Sequence, residues 1–156
     1  ISQFEKVGIT QIAENIPINL VNLQQLNKKA GEWSHSKLKG FTIIDSILRN
    51  TNQPVSLYHI SLLFGLPRIE FEAVLAHELL HVWLHLNKIT LSLASTEGFC
   101  NLGSYLIYKN DNTQFSSIHL KAMDTSKDIV YGKGYREMKV QLEKLGWKKL
   151  IRNLLY

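Results

Sequence analysis

The chain has 156 residues and a mass of 17.9 kDa, 45% hydrophobic and 20% charged, which suits a single domain spanning 1–156 with a sizeable core. No apolar run reaches membrane-span length and no signal peptide is visible, so a cytoplasmic protein with no membrane partner is expected, and a lone Cys100 excludes an intrachain disulfide. The net charge of +5 is confined to residues 121–156, where Lys148, Lys149 and Arg152 are spaced for a solvated helix face, so no nucleic-acid partner is expected.

Residues 16–23 alternate apolar and polar side chains around Asn19 and Asn22. Residues 39–48 are β-branched at Thr42, Ile43 and Ile44, and 54–64 carry Val55, Leu57 and Ile60; each segment predicts a strand. Turn signals lie at 29–31 and 50–54. Beyond Pro67 the pattern is helical, over about 69–87, 96–109, 114–123 and 134–145, with a last short helix from Trp147 after a break at Gly146. Strands followed by helices predict an α+β domain: an N-terminal, mostly β lobe packed on the 69–87 helix, and a C-terminal helical lobe. An extended peptide can add to an open sheet edge, supplied by either 40–48 or 55–63.

The 69–87 helix holds His77-Glu78-Leu79-Leu80-His81. Residues four apart share a helix face, so the two imidazoles can point at one metal ion. Glu78 sits one step round and can reach a water on that ion as a general base. With six His and nine Glu in the chain, chance produces this pattern about once in a hundred such sequences. The only ionisable side chains between Val74 and Leu86 are His77, Glu78, His81 and His85. On so apolar a helix such groups need partners, which favours a metal over a set of hydrogen-bonded core histidines.

A catalytic zinc takes three protein ligands and keeps one position open. Glu97 is the candidate third ligand, in the first turn of a helix capped by Ser95 or Thr96, with Gly98 leaving room for that helix to approach the first. His85 continues the histidine stripe, but each step of four drifts by about forty degrees, so it is expected at the rim, outside the ligand set. Asn101, one turn after Glu97, can accept the free N–H of His77 or His81 and fix the ring tautomer. Cys100 lies in the same apolar helix and reads as a core thiol.

Several blocks, in order, carry a resemblance over most of the chain. They are Ile16-Pro17-Ile18-Asn19-Leu20-Val21 with Leu26-Asn27, Leu63-Phe64-Gly65-Leu66-Pro67-Arg68, Val74 through Leu84, Glu97-Gly98-Phe99-Cys100, and Tyr131-Gly132-Lys133-Gly134-Tyr135-Arg136. Together they resemble the catalytic domain of the plant ubiquitin-activated, LIM-domain metallopeptidases that limit organ growth. The Glu-Gly-Phe triplet is also similar to the aminopeptidase branch of the glutamate-zincins. The resemblance implies a zinc-dependent endopeptidase with His77, His81 and Glu97 as ligands and Glu78 as base. The LIM and ubiquitin-interacting segments of the plant proteins are not seen here, and the region around 31–52 looks shorter, which predicts a compact, free-standing bacterial relative.

Peptide hydrolysis builds charge on the scissile carbonyl oxygen, which calls for a donor beside the metal. Tyr131, His119, Tyr105 and Arg136 are candidates, with the first two ranked highest. Tyr131 lies in Tyr-Gly-Lys-Gly, where flexible glycines can let it approach the site; His119 lies on a helix beside Ile118, Leu120 and Met123. The expectation is therefore a minimal zincin-like peptidase: monomeric, holding one Zn2+, acting on a peptide or protein substrate and open to an activating protein partner. The alternative is a catalytically latent or inactive zincin-like module used for protein–protein binding. Glu78 speaks against it, because structural zinc needs no base.

Overall fold

A computed structural model of the chain describes residues 1–12, 15–34, 37–48 and 54–156. The elements run α1 (Ser2–Lys6), β1 (Ile18–Val21), α2 (Leu23–Ala30), β2 (Gly40–Leu48), β3 (Pro54–Leu63), α3 (Arg68–Leu86), α4 (Leu93–Asp111), α5 (Gln114–Thr125), α6 (Gly134–Leu145) and α7 (Trp147–Leu155). A short 3-10 turn follows α2, and a π-helical turn, Ile129–Lys133, leads into α6. The class is α+β, but the N-terminal part is not the mostly β lobe expected: α1 and α2 stand among its three strands. Asn22 ends the first strand early. Its side chain accepts from the Gln25 N–H while Gln25 accepts from the Asn22 N–H, a capping box that nucleates α2. The expected turn at 50–54 lies outside the described residues, apart from Pro54, which opens β3.

The strands form one sheet in the order β1-β3-β2, with β1 parallel and β2 antiparallel to β3. That order decides which expected edge is open: β3 is central, and β2 is an edge. Paired residues share a face, so Thr42 with Ile60, and Gly40 with Leu62, look the same way. This face packs on α3: Ile60 and Leu62 are fully buried, and the Thr42 hydroxyl reaches Glu78.

Pro67 caps α3, which begins at Arg68, its carbonyl accepting from the Phe71 N–H, and Asn87 ends it, donating its side-chain amide to the Trp83 carbonyl. The helix α4 returns across α3. Gly103 lets their backbones approach, since a Cβ there would lie 2.9 Å from the Ala76 carbonyl oxygen. Trp83, at the centre of the core, meets Phe99 of α4 at 5.6 Å between ring centroids and donates its indole N–H to the Thr10 carbonyl, pinning the N-terminal segment over the core. No helix among the described residues is long and apolar enough to cross a membrane.

Candidate metal centre

Two helices bring three donors together. His77 and His81 lie one turn apart on α3, and Glu97 faces them from α4. The Nε2 atoms of the two histidines are 3.1 Å apart; the Glu97 carboxylate lies 3.3 Å from His77 Nε2 and 3.6 Å from His81 Nε2. A tetrahedral ion with bonds of about 2.0–2.1 Å sets its donors roughly 3.3 Å apart, so the spacing and chemistry of this set fit such an ion. Among the described residues it is the one cluster of three or more His, Cys, Asp or Glu side chains with that convergence.

The position of Glu97 differs from expectation in one respect. Ser92, not Ser95 or Thr96, caps α4, accepting from the Ser95 N–H at 3.2 Å. The helix therefore begins at Leu93 and Glu97 sits in its second turn, beyond the orphan N–H groups that a first-turn acid would serve. Asn101 does what its spacing suggested: His77 Nδ1 lies 3.0 Å from its side-chain oxygen. The Asn101 amide N–H₂ donates to the Tyr131 carbonyl at 3.4 Å, which orients the side chain with its oxygen towards His77. His77 Nδ1 is thus the donor, so the neutral ring keeps the Nε2 lone pair for the cluster, whereas the protonated ring also donates from Nε2 to Glu97.

Burial shapes the electrostatics. Desolvation alone would raise the Glu97 pKa, but hydrogen bonds from His77 and His81 reverse this and hold it at about 2. Desolvation alone would lower both histidines, but the Glu97 hydrogen bonds, helped by the Glu78 charge on both and by Cys100 on His77, outweigh it together, so both are raised. Burial pushes the Cys100 thiol well above its usual value, in keeping with a core thiol rather than a nucleophile.

The cluster lies in a cleft of about 770 Å³. One wall is the start of β2 with the segment before it (Leu38 to Thr42); the opposite wall includes Leu93, Ser126, Asp128 and Tyr131. Of the four donor candidates, only Tyr131 lines this cleft. Asp128 caps the π turn that carries it, accepting from the N–H groups of Val130 and Tyr131 at 2.8 and 2.7 Å. Burial, with Glu97 and Asp128 nearby, pushes the Tyr131 hydroxyl up to about 12.

His119 is not brought into the cleft: its ring stacks on Tyr108 at 4.8 Å and meets Phe115 at 4.5 Å. Arg136 is spent on the Ser126 carbonyl at 2.6 Å, and the Tyr105 ring lies under the ammonium groups of Lys109 and Lys139. His85 points to the sheet, its Nδ1 2.9 Å from the Tyr58 hydroxyl, which keeps it out of the donor set.

The glycines also act differently from expectation. Gly98 does not face α3. A Cβ on it would lie 2.2 Å from the Gly134 carbonyl oxygen, and one on Gly134 would lie 2.1 Å from that of Ala94. A Cβ on Gly132 would strike the Ser126 carbonyl oxygen at 2.5 Å. None of the three has a positive φ. Gly98 and Gly134 permit close packing of α6 on α4, and Gly132 packs the π turn on Ser126; none serves free movement of Tyr131.

Sequence reasoning missed Gly40 and Thr42. The Thr42 hydroxyl donates to Glu78 Oε2 at 2.7 Å, and Glu78 Oε1 occupies the space over Gly40, where a Cβ would lie 2.6 Å away. Nothing local in the sequence signals this contact, because it spans thirty-six residues and depends on strand order.

A family model described as DA1-like (Protein DA1) matches residues 42–121, just over half the chain. Protein DA1 of Arabidopsis thaliana is 23% identical over 200 aligned residues, which cover 92% of this chain and 38% of the relative. Protein DA1-related 2 of the same plant is 48% identical over 48 residues, 30% of this chain and 9% of the relative. The chain thus spans well under half the length of the curated relatives it matches. No solved structure matches it. The resemblance read from the sequence blocks holds at the level of the family, and the segment matched by the family model contains all three donors and Glu78: the chain belongs to the DA1-like family.

Proposed function

We propose that the chain is a zinc-dependent peptidase domain of zincin-like fold, acting as an endopeptidase, with His77, His81 and Glu97 as the zinc ligands. The observation that carries this reading is the convergence of two imidazole nitrogens and one carboxylate within 4.8 Å of one another, in a cleft beside Glu78. When bound, zinc supplies Lewis acidity at the scissile carbonyl and makes a bound water acidic near neutral pH.

The chain's own residues supply the rest. The Glu78 carboxylate takes the proton of the attacking water and passes it to the leaving amine nitrogen. Tyr131, protonated at neutral pH because its hydroxyl titrates at about 12, donates a hydrogen bond to the carbonyl oxygen as charge builds there. Asn101 holds the His77 ring in the tautomer that presents Nε2. An extended substrate pairs with the free edge of β2, a nine-residue strand whose start lines the cleft. Pairing along a strand recognises the interior of a chain rather than its terminus, which favours endopeptidase action.

The test is metal analysis of the purified chain together with a peptide-library cleavage screen. The reading expects one zinc per chain and cleavage that Glu78→Gln reduces by about a hundredfold or more while zinc is retained. A chain that holds zinc but cleaves nothing, with or without Glu78, would instead be a module for partner binding or one awaiting an activating partner. A chain that binds no zinc at neutral pH would remove the reading altogether.

A further inference from the structure

Glu78 is 5% exposed and lies on α3, yet what holds its carboxylate comes from the sheet. Thr42 donates its hydroxyl to Oε2 at 2.7 Å. The same hydroxyl lies 3.4 Å from the Glu78 carbonyl oxygen; with one proton to give, it favours the shorter, charge-assisted bond. Two residues earlier on the same face of β2, Gly40 leaves open the volume that Oε1 occupies. A Cβ at residue 40 would lie 2.6 Å from Oε1 and 3.0 Å from the Glu78 Cγ. Strand β2 therefore forms a two-point socket: a missing side chain admits one oxygen, and a hydroxyl fixes the other.

We infer that Thr42 and Gly40 are positioning residues for the Glu78 carboxylate, so that the strand offered to the substrate also aims the base. The inference rests on the reading of Glu78 as general base and goes beyond it. A carboxylate on a three-bond stem has several rotamers, and a bond to one oxygen removes the freedom to turn about the last of them. A base that must meet a water in one position loses rate when its aim is lost, even if it remains nearby. The socket also links two functions of β2. A shift of the strand along α3, such as an imperfectly paired peptide would cause, moves the hydroxyl and with it the base.

The experiment compares Thr42→Val, Thr42→Ser and Gly40→Ala with the native full chain, reading zinc content, kcat and KM on a library-selected peptide, and Tm. Thr42→Val removes the hydroxyl at nearly constant shape. It should lower kcat by about ten- to a hundredfold with KM and zinc content unchanged, and Thr42→Ser should restore most of the loss. Gly40→Ala should lower kcat similarly with a larger loss of Tm, because its Cβ would lie 2.7 Å from Val74 Cγ1, a short branched side chain with little room to give, as well as 2.6 Å from Glu78 Oε1.

A second arm needs no activity. Thr42→Val should lower Tm by about 2–4 °C in the native background and leave it unchanged in Glu78→Met, where there is no carboxylate to serve. Equal Tm shifts in both backgrounds, or an unchanged kcat in Thr42→Val, would overturn the assignment. Loss of zinc from Thr42→Val would overturn it too, in favour of a scaffold role. If the native chain cleaves no peptide, the peptidase reading fails by itself, and the Tm cycle still decides whether Thr42 holds Glu78.

Discussion

Glu97 and Gly98 are adjacent on α4 and serve opposite neighbours. Glu97 turns to α3, where its carboxylate meets His77 and His81; Gly98 turns to the start of α6, where its lack of a side chain lets the Gly134 carbonyl lie against the helix. At this level of α4, one side is built by side-chain chemistry and the other by its absence. The first side sets the donors. The second seats the π turn that brings Tyr131 to the cleft. The lesson is that the site depends as much on what is missing from α4 as on what it carries.

Substituting the two neighbours should separate these contributions. Glu97→Ala should weaken zinc binding by more than about a hundredfold, beyond the range for loss of a supporting residue, while the metal-free chain still folds; isothermal titration with zinc and a far-UV spectrum check both. Gly98→Ala should do the reverse. Its Cβ meets backbone that cannot swing aside, so about 3 kcal/mol of stability should be lost, roughly 6–12 °C in Tm, at the upper end for overpacking. Folded Gly98→Ala at low temperature should still bind zinc. Native-like stability in Gly98→Ala would mean that α4 and α6 do not touch as described.

Asn101 joins the two sides, accepting from His77 and donating to the Tyr131 carbonyl. Asn101→Ala should weaken zinc binding by about 10–100-fold, a smaller effect than loss of Glu97. Asn101→Asp sharpens the comparison, because a carboxylate keeps the acceptor for His77 and lacks the donor for Tyr131. It should retain zinc affinity and lower turnover. Equal zinc loss in both variants would show that the Tyr131 contact, not the His77 contact, supports the metal side.

The two sides also differ in how much of each is legible in the amino-acid sequence. His77 with His81, and Glu97 with Asn101, are each four apart on a helix, a local geometry that sequence spacing states directly. The three strands are legible for the same reason, through alternation and β-branched runs. The order β1-β3-β2 is not, because nothing local says which strand is central, and the socket at Gly40 and Thr42 follows from that order. The glycines of the 131–136 block are visible but ambiguous: flexibility and close approach leave the same mark in a sequence, and only the neighbours distinguish them. The box at Asn22 and Gln25 is a legible helix start, and giving it too little weight produces the expectation of a lobe more β than it is. His119 fails as a site residue for another reason. A histidine between apolar neighbours signals a partner, but not that two aromatic rings supply it.

The last expected effect lies in the acid and alkaline limbs of stability for the metal-free chain. Glu97 titrates at about 2 in the folded state against an ordinary 4.5, so its contribution is present above about pH 4.5 and is lost as pH falls towards 2. His77 and His81 are raised above 6.5; their contribution is complete below that value and is lost as pH rises through their folded values. The metal-free chain should therefore be most stable between about pH 4.5 and 6.5, measured as Tm against pH in the presence of a chelator. Glu97→Ala should flatten both limbs, since the same carboxylate is the strongest of the partners that raise the histidines. Gly98→Ala should lower the whole curve and leave its shape unchanged, because the atoms its Cβ would meet are backbone, the Gly134 carbonyl and the Tyr135 nitrogen. On the proposed function, zinc should invert the alkaline limb: the ion needs neutral imidazoles, so added zinc should stabilise progressively more as pH rises through the histidine values. A Glu97→Ala curve as peaked as the native one would mean that these charges find other partners, and that the donor cluster is not the coupled unit its geometry indicates.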